Sequence, residues 1–146
     1  TMFVEAIETE LGKEPRISLI NPIALAFVGD SVFDLFLRTG IVLGEDVSPK
    51  MMHLHASHFA KAETQCRMVR GIWERLSEEE RDTVRRGRNA KVNTIPKHAQ
   101  IVEYKMATGF EALLGSLYLQ KQQERLWEIL SMAMEVAGED ETWKNR

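Results

Sequence analysis

The chain has 146 residues, 44% of them hydrophobic and 28% charged, which is enough for one well-buried domain and too few for two ordinary ones. Its formal net charge of −3 argues against nucleic-acid binding by overall charge, while leaving room for a local basic patch. The single Cys66 excludes an internal disulfide and a cysteine-based zinc cage; with no leader-like segment and no apolar run approaching about 18 residues, the expected location is the cytoplasm.

Residues 2–11 (MFVEAIETEL) carry a short amphipathic helical pattern that Gly12 and Pro15 break. In the next helix, Asn21 suits the N-cap and Pro22 the first helical position, and the end is expected near Thr39-Gly40. Its apolar residues between Asn21 and Arg38 point to nearly every side at about 100° per residue, so it is expected to be central and buried. Asp30 and Asp34 fall among Ile23, Phe27 and Leu37 on this wheel, and a buried carboxylate needs something positive beside it. Arg38 stands about 80° from Asp30, so a metal ion or a distant basic residue is required there.

Ser48-Pro49 repeats the start signal, and residues 49–75 read as one long helix or a bent pair with Gly71 as the interruption. Ser77-Glu78-Glu79-Glu80 is a capping-box start, and that helix is expected to run to about Arg86 and stop at Gly87. Residues 88–96 (RNAKVNTIP) read as a loop, Lys97 to Gln120 and Gln122 to Ala137 as helices, and 138–146 (GEDETWKNR) as a polar tail. With no β-type alternation, the fold class is all-α, in one domain over residues 1–137.

On the helix over 97–120, Tyr104, Thr108, Glu111, Gly115 and Tyr118 form one stripe by their spacing. Gly115 lies one turn after Glu111, and Gly29 immediately precedes Asp30. Small residues let helix backbones approach closely, which would bring the two acids together. Two converging carboxylates with no lysine between them make a hard oxygen pocket suited to Mg²⁺. Spacing alone leaves equally open that Asp30 pairs with an arginine and that Glu111 lies on a solvated face.

Three motifs in order resemble the ribonuclease III family. Phe27-Val28-Gly29-Asp30-Ser31-Val32 resembles its signature helix, E-x-x-E-F-L-G-D-S/A-V/I, and Phe110-Glu111-Ala112-Leu113-Leu114-Gly115 resembles its second acidic motif, D-x-V-E-A-L-I/L-G. Between them Arg86-Gly87-Arg88-Asn89-Ala90-Lys91 is similar to an element of the compact bacterial subfamily, Mini-ribonuclease III, and the resemblance spans about residues 19 to 137. It implies a ribonuclease III endonuclease-domain helical bundle and a homodimer. It also implies Mg²⁺-dependent cleavage of double-stranded RNA, leaving 5′-phosphate and 3′-hydroxyl ends, with Asp30 and Glu111 as catalytic residues and metal ligands. For the subfamily it implies maturation of large-subunit (23S) ribosomal RNA, and it leaves open an accessory ribosomal protein. The larger enzymes have acids where this chain has Ile23, Ala26 and Thr108, which leaves the number of metal ions open. They also continue into a double-stranded RNA-binding domain, whereas only nine residues follow Ala137, as the compact subfamily implies.

From Arg81 to Lys105 there are seven Lys or Arg against two acids. Arg86, Arg88, Asn89 and Lys91 offer donors for phosphate oxygens and ribose 2′-hydroxyls, the way duplex RNA is held without reading its sequence. A solvated helix face balanced by Glu78 to Glu80 is the plainer reading of a charge run. Clustering past Gly87, where no helix is expected, favours the RNA reading. Asp34 reads better as a partner for a nearby Lys or Arg than as a ligand, and His53, His55 and His58 lack the face and the further ligand a zinc site needs. The apolar surround of the Asp30 helix exceeds what one small core requires, so a two-fold homodimer is expected. The competing function is a non-catalytic RNA-binding or ribosome-associated dimer, for which the missing acids at 23, 26 and 108 speak. A nucleotide phosphohydrolase lacks the His-Asp pair it would need.

Overall fold

The computed structural model describes residues 3–44, 48–91 and 100–138. Seven α-helices follow one another over these residues: α1 (Val4–Leu11), α2 (Pro22–Gly44), α3 (Pro49–Ala60), α4 (Ala62–Gly71), α5 (Glu78–Asn89), α6 (Ile101–Leu119) and α7 (Gln123–Gly138). Short 3₁₀ turns at Ile17–Leu19 and Trp73–Arg75 join them, and no strand occurs among the described residues, so the all-α expectation holds. The expected loop over 92–96, the helix start at Lys97 and the tail beyond Gly138 lie outside the described residues.

The helix starts follow local chemistry. The Asn21 side chain accepts from the Ile23 N–H at 2.8 Å, Ser48 accepts from Met51 at 3.3 Å, and Ser77 with Glu80 forms both arms of a capping box. The ends differ from expectation. α2 continues past Gly40 to Gly44, and Ile41, just beyond that glycine, still packs on the core. The interruption in the 49–75 segment falls at Lys61, in extended backbone, where the Thr64 hydroxyl donates to the His58 carbonyl at 2.9 Å; Gly71 merely closes α4. α5 runs through Gly87 to Asn89, so Arg88 and Asn89 belong to a helical turn and not to a loop.

The central helix is α6, not α2. Every residue from Met106 to Leu117 is buried except the half-buried Glu111, and α2, α4, α5 and α7 pack around it. Phe110 meets Phe33 of α2 edge-on, with ring centroids 6.1 Å apart, and Val69, Val84 and Ile129 bring α4, α5 and α7 into the same core. α2 turns Leu25, Ala26, Gly29, Phe33 and Leu37 inward but leaves Phe27 and Leu35 on the surface at 81% and 61% exposure. An all-round apolar pattern reports apolar surface; it does not require that one chain cover all of it.

One ion pair locks the end of the bundle away from the α5 C-terminus. Arg125 of α7 grips both oxygens of the buried Glu80 at 2.8 Å and donates to the Arg75 carbonyl. Arg125→Ala should therefore lower stability at neutral pH by roughly 3 kcal/mol, since it strands a buried charge. The Arg125 guanidinium holds the Glu80 carboxyl below its ordinary 4.5. This contribution is thus present above about pH 4.5 and is lost as pH falls through the lowered value. Urea unfolding of wild type and variant should differ at pH 7 and converge in strong acid.

Candidate active site

The site begins with two glycines. α2 and α6 run antiparallel, with Leu25 beside Gly115 and Gly29 beside Glu111. A Cβ placed on Gly29 would fall onto the Glu111 carbonyl oxygen and 2.9 Å from the Gly115 nitrogen; one on Gly115 would fall onto the Leu25 carbonyl and 3.0 Å from the Gly29 nitrogen. Only glycine at both positions allows backbone to lie on backbone here. The residue after Gly29 is Asp30, so at this crossing its carboxyl meets that of Glu111 at hydrogen-bonding range.

The convergence expected from sequence is therefore present, with the burial reversed. Asp30 is exposed, and Glu111 is the half-buried member. Burial first, and then the hydrogen bond and negative field of Asp30, push the Glu111 carboxyl from its ordinary 4.5 up to about 9. Among the described residues no cation lowers it; the opposing influence is the side-chain amide of Gln65 on α4, a residue only 3% exposed. Sequence reasoning missed Gln65. Its signal was a polar residue in register with Met68, Val69 and Ile72 on the inward face of α4.

The other candidates separate. Asp34 pairs with Arg38 one turn on at 3.0 Å and so takes the local role expected of it. Thr108, where the larger enzymes carry an acid, is buried and donates its hydroxyl to the Tyr104 carbonyl; Ala26 is buried too. Arg81 and Arg85 lie over Trp73 at 5.8 and 5.4 Å and pair with Glu74, Glu78 and Asp82. They consolidate α5 and do not present free charge. Arg86 is exposed and reaches the Ile20 carbonyl at 3.3 Å, Arg88 donates to the Asn89 side chain at 3.2 Å, and Asn89 and Lys91 are exposed. Gly87 lies against Gly109 of α6, where an added Cβ would be 2.7 Å from the Gly109 Cα. This puts the basic turn of α5 within about 3 Å of the level of Glu111 along α6, on another side of that helix.

Two opposed carboxylates, one facing solvent, form an all-oxygen set for a small divalent cation. The raised proton affinity of Glu111 fits such an ion, which would displace the proton and restore the ionised form. Among the described residues no three His, Cys, Asp or Glu side chains cluster to hold a metal. No helix among them is long and apolar enough to cross a membrane.

The ribonuclease III domain family matches residues 23–122. A Mini-ribonuclease 3 of Thermoanaerobacter sp. (strain X514) is 44% identical over 131 residues, 90% of this chain and 92% of that one. A Mini-ribonuclease 3 of Staphylococcus aureus (strain NCTC 8325 / PS 47) is 34% identical over 87% of this chain and 96% of its own length. A crystal structure of a Fusobacterium nucleatum protein superposes with a TM-score of 0.72 at 27% identity, covering 80% of this chain and 93% of that one.

The raised Glu111 value carries a stability consequence. Between about pH 4.5 and 9 the folded, metal-free protein keeps a proton that the unfolded chain has released. The stability from this group is complete at the acid end of that window and is lost as pH rises through it. Thermal unfolding in a chelator should show this decline for wild type, and Glu111→Gln should flatten it.

Proposed function

The chain belongs to the ribonuclease III family, to its Mini-ribonuclease III branch, and is an endoribonuclease; from that premise we propose that it hydrolyses double-stranded RNA at a Mg²⁺ site held by Asp30 and Glu111. The observation that carries this reading is the meeting of those two carboxyls at the Gly29–Gly115 crossing, with no cation beside Glu111 among the described residues. A bound divalent ion supplies an activated water and offsets charge on the phosphodiester and its leaving oxygen. Asp30, exposed, is the ligand that the RNA backbone approaches; Glu111, drawn into the α4–α6 interface, anchors the inner side. Cleavage of the P–O3′ bond leaves a 5′-phosphate and a 3′-hydroxyl.

Arg86, Arg88, Asn89 and Lys91 hold the backbone of the duplex through phosphate and 2′-hydroxyl contacts. Their support is position: they are outward-facing or at the α5 end, whereas Arg81 and Arg85 are committed to neighbours. The exposed apolar side chains Phe27, Leu35 and Val42 on one side of α2 support a two-fold homodimer in which each subunit offers its acid pair to one strand. The substrate in the cell is precursor 23S ribosomal RNA, in the cytoplasm, and an accessory ribosomal protein is compatible with this role.

Cleavage of a duplex RNA with and without Mg²⁺ tests the reading. Asp30→Asn and Glu111→Gln should keep the helical circular-dichroism spectrum and lose cutting by at least about 100-fold, the scale of losing a metal ligand or its support. Arg88→Ala should instead weaken RNA binding and reduce the slope of log affinity against log salt by about 1. Undiminished cutting by Asp30→Asn would refute the assignment of the acid pair.

A further inference from the structure

A cavity of about 470 Å³ lies between the 3₁₀ turn at Ile17, α5 and α6, within the roughly 300–1,000 Å³ common for small-molecule sites. Its floor is apolar: Leu25, Leu113 and Leu117 are each at most 3% exposed. Leu113 stands about 200° round α6 from Glu111, so the cavity is on the far side of that helix from the acid pair. Its polar wall is ordered. The Gln122 amide donates to the Gln120 side-chain oxygen at 2.8 Å, and the Gln120 amide donates to the Ser116 hydroxyl at 2.7 Å. Each amide has a second N–H, and this relay fixes the plane of the Gln120 group. Among the described charged residues that line the cavity, Glu80 is taken by Arg125 and Asp82 by Arg85. Two guanidinium groups, Arg16 and Arg86, then stand against the one carboxylate of Glu79, and Arg86 is steadied by the Ile20 carbonyl at 3.3 Å.

We propose that this cavity binds one ribonucleotide, with the base over the leucine floor and its edge on the Gln120 and Gln122 amides, the phosphate held by Arg16 and Arg86, and a ribose hydroxyl donating to Glu79. Other ligand classes leave part of the lining unmatched. An apolar molecule would bury the amides and Ser116 without partners, inorganic phosphate would leave the leucines uncovered, and an uncharged nucleoside would leave the guanidinium groups unmet. The inference goes beyond the cleavage reading and does not need the acid pair. A free nucleotide and an unpaired nucleotide at an RNA end share this chemistry. Arg86 is common to the cavity and the basic turn, so an RNA held there can present the second.

The full chain is titrated with AMP, GMP, CMP and UMP, and with inorganic phosphate and the four nucleosides, by calorimetry. At least one nucleotide should bind about 10-fold more tightly than phosphate and than its own nucleoside. Arg16→Ala, at an exposed position, should weaken that binding about 10-fold, and Thr83→Phe, which fills the cavity from α5, should abolish it. Asp30→Asn should bind the nucleotide like wild type whatever becomes of cutting, so the two readings fail separately. In a chelator, a duplex RNA with one unpaired 3′ nucleotide is compared with its blunt form. Tighter binding of the overhang that Arg16→Ala and Thr83→Phe erase assigns the cavity to RNA ends; nucleotide binding with no preference between the duplexes assigns it to free nucleotides. The proposal is overturned by absence of both nucleotide binding and overhang preference, by nucleotides binding no better than phosphate with no such preference, or by binding that both folded variants keep. Should Thr83→Phe not fold, Arg16→Ala decides alone.

Discussion

The structure turns on one helix crossing. α2 lies on α6 with backbone against backbone because Gly29 and Gly115 face each other, and any side chain at either place would strike a carbonyl of the opposite helix. Each glycine has an acid as neighbour or one turn away, so the closeness is handed directly to Asp30 and Glu111. A second glycine contact, Gly87 on Gly109, brings α5 as close on another side of α6 and sets the height of the basic turn at Arg86 to Lys91. Acid pair and basic turn thus take their positions from the same central helix.

Electrostatics separates the parts that maintain the fold from the parts that remain unsatisfied. Glu80 is gripped by Arg125, Asp34 by Arg38, Glu78 and Asp82 by Arg85, and Glu8 by Lys121. Glu111 stands apart: half-buried, beside another acid, and without a cation among the described residues. A divalent ion at this place would displace the proton that Glu111 otherwise keeps and let both carboxyls ionise side by side.

What could be read from the sequence divides along the same line between local and tertiary causes. Asn21-Pro22, Ser48-Pro49 and the Ser77 box announced helix starts because a cap is a bond between a side chain and backbone two or three residues away. Gly40 and Gly87 misled as stops. The first has open space around it and a helical backbone, and the second is glycine for the sake of Gly109, a partner invisible to local pattern. The break at Lys61 had no Gly or Pro to mark it. At the site, the acids were legible through their neighbouring glycines, but their burial was inverted, because the wheel of α2 could not show that Phe27 and Leu35 face outward. Gln65 carried no charge to draw attention and became visible only when α4 was seen to pack on α6.

The most direct test is crystallographic. Crystals of the protein soaked in Mn²⁺ and measured at the manganese absorption edge should give an anomalous peak between the Asp30 and Glu111 carboxylates, at the level of the Gly29–Gly115 contact. A peak at another position with none there, or the two carboxylates found turned away from each other, would contradict the account.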